Sequence, residues 1–165
     1  IQATRQFSPA DPQHKAVLGT YLLLQFGEEK LRPRPVHQAG LRLGEAWEAM
    51  LHDLSLTPAE LMARAVRAHL ADCSHTLPML MEEGREPSLH LFMANLGAMR
   101  KQLFPSLQRA YADWLSSGDR SAFSGPIRDG ASHWLGLAQR VLTLHERQGS
   151  QAAEAIAAEI EGAFL

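Results

Sequence analysis

The chain has 165 residues, of which 45% are hydrophobic and 21% charged, and its net charge is −2. That length suits one domain able to bury roughly two-thirds of its unfolded surface, and the balance excludes a disordered polyelectrolyte and a strongly basic nucleic-acid binder. The longest apolar runs, such as Leu22–Leu24, fall far short of the roughly 20 residues needed to cross a bilayer, so no membrane span is expected.

The chain opens on Ile1 without a signal-peptide pattern and is expected to be a domain excised from a longer protein. Residues 1–10 show no period and are predicted to form an irregular arm. Asp11–Pro12 offers an N-cap with proline at the first helical position, and Val17, Leu18, Tyr21 and Leu22 follow at helical spacing up to Gly27. Leu31 to Pro35, with Arg32 and Arg34 between prolines, reads as a stiff extended connector.

From about Val36 to Leu54 the pattern is the cleanest amphipathic helix of the chain, with Leu43, Trp47, Met50, Leu51 and Leu54 on one face. This helix is expected to be central to the core. Thr57–Pro58–Ala59–Glu60 is a capping box with proline at N1 and starts a third helix. Leu61, Ala65, His69 and Cys73 form one row along it and Met62, Val66 and Leu70 the next. Pro78 and Gly84 bracket a short turn of helix holding Met79, Leu80 and Met81.

Pro87–Ser88 opens a fourth long helical segment with Phe92, Leu96, Met99 and Leu103 on one stripe, which Pro105 kinks or ends. Leu107, Tyr111, Trp114 and Leu115 continue an apolar face to Ser116. From there to Gly125–Pro126 the sequence reads as the longest polar loop. Ile127, Ala131, Trp134, Ala138, Val141 and Leu142 mark another long helix ending at Gly149, and Ser150 is placed as the cap of a last helix burying Ala153, Ile156, Ala157, Ile160 and Phe164. No window alternates with period two, no repeat recurs, and prolines interrupt any heptad pattern. The fold class is therefore all-α: residues 1–165 as a single irregular bundle of six or seven helices.

Chemistry concentrates in one place. His69–Leu–Ala–Asp–Cys73–Ser–His75 sets the only cysteine of the chain between two imidazoles. Residues four apart share a helix face, so His69 and Cys73 could ligate one metal, zinc or copper, with His75 swinging in. The same residues also read as packing, with Cys73 a small buried hydrophobe, and packing is the reading adopted. As a nucleophile Cys73 is ill placed if it lies near a helix C-terminus, where the macrodipole raises a thiol pKa.

A haem could be held by one axial histidine, with His133 beside Trp134, His145 and His90 as candidates. Trp47, Tyr111, Trp114, Trp134 and His133 are the candidates to line a pocket for a small apolar ligand between helices. Nucleotide, serine-hydrolase and metalloprotease motifs are missing; Gly40–Leu–Arg–Leu–Gly44 has only two glycines and reads as close helix contacts. One cysteine cannot make an internal disulfide, which favours a reducing cytoplasm. The expected function is a regulatory, sensory or protein-interaction module whose partner is a protein or an apolar ligand, with no nucleic acid. The alternatives are a metal- or haem-binding protein and a cofactor-independent enzyme.

Overall fold

The computed structural model describes residues 35–82 and 86–165, and every regular element among them is helical. The expected N-terminal arm, the helix Asp11 to Gly27, the connector up to Arg34, and Gly84 lie outside the described residues.

Helix α1 spans Pro35–Asp53, but it is broken at Gly44, whose φ of 70° and ψ of −168° are not helical. Gly44 is thus a break and not a close contact, since a Cβ there would meet nothing within 4 Å. Only glycine adopts this conformation without strain. Beyond the kink Trp47, Met50, Leu51 and Leu54 are buried, as their stripe predicts.

Helix α2 (Pro58–Ala71) begins where its capping signal sits. The Thr57 hydroxyl oxygen accepts from the Glu60 N–H at 3.3 Å and donates to the Leu54 carbonyl at 2.6 Å. The Glu60 carboxylate reaches one residue further back than a capping box requires, accepting from the Leu56 N–H at 2.9 Å. The face it buries is built from Ala59, Ala63, Ala65, Val66, His69, Leu70 and Ala71. Leu61, in one row with Ala65, His69 and Cys73 by spacing, is 57% exposed while those three are buried. Small residues let neighbours approach closely, and α2 packs against α1, against α7 (Ser124–Gln148) and against α8 (Ala153–Glu161). The hub of the fold is therefore α2, and not the helix with the widest stripe.

The chain does not stop after α2. It widens into a π-helical turn at Asp72–Thr76 and runs straight on into α3 (Leu77–Glu82). Pro78 explains the widening, because a proline inside a regular helix has no N–H to donate and its ring clashes with the carbonyl four residues back. One extra residue per turn relieves that conflict, and the Leu77 N–H bonds five residues back to the Asp72 carbonyl.

The stretch expected as one long helix is two, α4 (Glu86–Ala94) and α5 (Ala98–Leu103). Asn95 folds its side-chain amide onto the Leu91 carbonyl at 2.8 Å, and Gly97 is extended. Pro105 then starts α6 (Pro105–Ser117), which ends at Gly118 in the left-handed conformation. The expected polar loop is nearly absent. Asp119 caps a 3-10 turn, Arg120–Phe123, that leads directly into α7, and Phe123 within it is fully buried. Gly125 and Pro126 belong to the first turn of α7, where a missing N–H costs nothing.

Gly149 ends α7 as expected, with φ of 57°. Ser150 does not cap the last helix: it lies in a 3-10 turn, Gly149–Ala152, ahead of α8. Ile156 and Ile160 are buried, whereas Phe164 falls past the helix end and is 49% exposed. The tail is nonetheless tied down, with Leu165 N–H donating to Leu103 O and Ser106 N–H to Leu165 O. Among the described residues no helix is long and apolar enough to cross a membrane.

Candidate functional site

The π-turn sets four polar side chains against the core: His69 at the end of α2, Asp72 and Cys73 in the turn, and Arg100 from α5. His69, Asp72 and Cys73 are buried. The Arg100 guanidinium donates to the Asp72 carboxylate, and the Arg100 carbonyl lies 3.1 Å from His69 Nε2. A carbonyl only accepts, so Nε2 carries the proton and Nδ1 is the bare nitrogen; Nδ1 has no partner in the protein.

Aromatic rings close the cluster. The His69 ring stacks on Trp134 at 4.8 Å and meets Phe104 edge-on at 5.3 Å. A Cβ on Gly130 of α7 would come within 2.6 Å of Cys73 Sγ and 2.9 Å of Phe104 Cζ, so glycine is what allows α7 to lie this close. The environment sets the protonation states of His69, Asp72 and Cys73. Burial, with help from the Arg100 charge, holds the His69 imidazole down to about 3. Burial pushes the Asp72 carboxyl up to about 6 although Arg100 pulls the other way, and burial raises the Cys73 thiol above its usual range. At neutral pH this gives a neutral imidazole, a protonated thiol and an ion pair.

That combination is suited to holding the fold and poorly suited to nucleophilic attack, which needs the thiolate. The reason is burial. It is not the helix C-terminus expected from sequence, since the helix continues through the turn to Glu82. His75 is half-exposed in the same turn, and among the described residues no three His, Cys, Asp or Glu side chains are grouped to hold a metal ion.

Of the pocket candidates, Trp47, Trp114 and Trp134 all belong to the buried core, with Tyr111 packed against it. Trp47 and Trp134 are fully buried, each with an indole N–H that lacks a partner. Tyr111 and Trp114 meet instead at the junction of α4 and α6, where the His90 ring stacks on Trp114 at 4.4 Å and Nδ1 lies 3.0 Å from the Tyr111 hydroxyl. Burial lowers the His90 imidazole against the opposing pull of Glu86. His133 packs edge-on to Trp134 and donates from Nε2 to the Ala163 carbonyl at 2.7 Å. His145 donates to Asp53 at 2.9 Å, joining α7 to the end of α1. The candidates for an axial haem ligand thus have a ring nitrogen engaged by the protein.

Sequence reasoning missed Asp72, Arg100, Phe104 and Gly130 as members of the cluster. Asp72 was in plain view inside the His69–His75 heptapeptide. Arg100 is 28 residues from its carboxylate and carries no local signal.

Residues 37–163 match a family of unknown function, DUF6866, over its C-terminal domain, and the chain belongs to that family. No curated protein and no solved structure matches the chain.

Proposed function

We propose that this DUF6866 C-terminal domain is a regulatory protein-interaction module that presents a rigid apolar corner to a protein partner. The observation that carries the reading is Leu56. Its side chain is fully exposed while its backbone holds φ of 66°, a conformation unfavourable to a residue with a Cβ. A leucine kept in solvent at a backbone cost is hard to explain by folding alone. The corner is held stiff: Leu56 N–H donates to Glu60, Thr57 caps α2, and Arg64 clamps the same Glu60 carboxylate at 2.7 Å. Leu61, one turn into α2, adds a second exposed apolar side chain. A preorganised anchor of this kind loses little freedom on binding.

A C-terminal domain, as the family is described, fits a module that recruits a partner for the domain preceding it. The buried, protonated thiol of Cys73 suits a reducing compartment, and the cytoplasm is the proposed location. The test is site-specific photocrosslinking at position 56, followed by affinity measurement with the partner captured. Leu56→Asp with Leu61→Asp should weaken that partner by about tenfold or more at an unchanged melting temperature. Binding that ignores both substitutions would remove the corner from the reading.

A further inference from the structure

The elements around His69 and Cys73 differ in how firmly they are held. α7 closes one side through Gly130 and Trp134, and Trp134 belongs to the fully buried core. On another side lies α5, with only six residues, about half the length at which an isolated helix becomes even marginal. The chain is non-helical at both its ends, at Asn95 to Gly97 and at Phe104, whose φ of −126° and ψ of 63° interrupt the helical path. Of its residues Ala98, Lys101 and Gln102 are exposed, Met99 and Arg100 are half-buried, and Leu103 alone is buried.

At its C-terminal end α5 is held by buried Leu103, whose carbonyl accepts from the Leu165 N–H; toward the π-turn its polar fastening is Arg100. Its carbonyl accepts from His69 and its guanidinium holds Asp72, so one residue ties the short helix to the π-turn at two points. Segments with few buried apolar contacts and polar fastenings are the ones that open locally without global unfolding.

We propose that α5 is a hinged lid over the His69–Cys73 cluster, latched by Arg100 to Asp72, and that its opening admits small thiol-reactive molecules to Cys73. Opening frees the hydrogen-bond partner of His69 Nε2 and parts the ion pair beside the thiol. Closing restores an inert, buried thiol.

The single cysteine makes the lid directly measurable. The intact chain is reacted with 4,4′-dithiodipyridine in native buffer at rising sub-denaturing urea. A lid predicts a labelling rate nearly independent of urea below the unfolding transition, because little surface is exposed on opening. Hydrogen exchange at the Lys101 and Phe104 amides, bonded to the Gly97 and Arg100 carbonyls, should share that shallow dependence. Arg100→Met breaks the latch and should speed labelling by about tenfold or more, because it leaves the Asp72 carboxylate without its counter-charge. Lys101→Met, on the exposed face of the same helix, should leave the rate unchanged. Labelling whose urea dependence equals that of global unfolding would overturn the lid, as would an unchanged rate in a folded Arg100→Met. If that variant does not fold, the urea dependence of the wild type decides alone.

Discussion

At the scale of residues, the buried cluster combines two titrations that oppose one another. Asp72, raised to about 6 chiefly by burial, takes up a proton in the folded protein before it does in the unfolded chain. Its contribution to stability is full below the ordinary carboxylate value of 3.8 and is lost as pH rises through about 6. His69 does the reverse. Held down to about 3, it contributes fully above 6.5 and loses that contribution as pH falls toward 3. Between about pH 4 and 6 the two slopes cancel. Asp72→Asn removes one arm, so on acidification from pH 6 to 4 the variant should lose stability relative to wild type by about 1.4 kcal/mol per pH unit. Urea unfolding of both proteins across that range measures the difference, and parallel curves would show that Asp72 titrates at its ordinary value.

At the scale of elements, the strongest local signals worked where they were backbone chemistry. Thr57–Pro58–Ala59–Glu60 predicts the start of α2, and the Thr57 hydroxyl is found bonded to the Glu60 N–H. Thr57→Ala should destabilise the fold by about 1 kcal/mol, read by thermal or urea unfolding; a loss near zero would mean that the Glu60 carboxylate alone organises the corner. Gly149 likewise ends α7. The failures are as instructive. Pro78 reads as a boundary by sequence, yet a π-turn absorbs it within one continuous helix. Ser116 to Pro126 reads as a polar loop, yet a cap at Asp119, the burial of Phe123 and the start of α7 at Ser124 make it a tight connection. Both outcomes depend on how neighbouring turns share hydrogen bonds, which residue-by-residue propensity does not contain.

At the scale of the whole molecule, the hub is not the helix with the widest large-residue stripe but α2, whose buried face is mostly alanine. Alanines bury little area each, so α2 ranks below α1 by pattern, but small side chains let three helices, α1, α7 and α8, approach it. The two faces of α2 should respond very differently to truncation. Leu70→Ala, at a fully buried position, should cost about 2 to 5 kcal/mol. Leu61→Ala should stay within about 0.5 kcal/mol. Equal losses in denaturant unfolding would mean that Leu61 is covered in solution.

The all-α class, most helix boundaries and the burial of Trp47, Trp114 and Trp134 were legible from periodicity and caps, because these properties are set by residues within a few positions of one another. The cluster around Cys73 was legible only in part: His69, Asp72 and Cys73 fall within five consecutive positions of the chain, but Arg100, Phe104 and Gly130 arrive from elsewhere. Whether Cys73 is a ligand, a nucleophile or a sealed thiol is a question of burial and charge, and both are sums over neighbours brought together by packing. Sequence decided which residues could form helices, since that depends on local backbone geometry. Tertiary structure decided which faces met, and so set the protonation states of His69, Asp72 and Cys73.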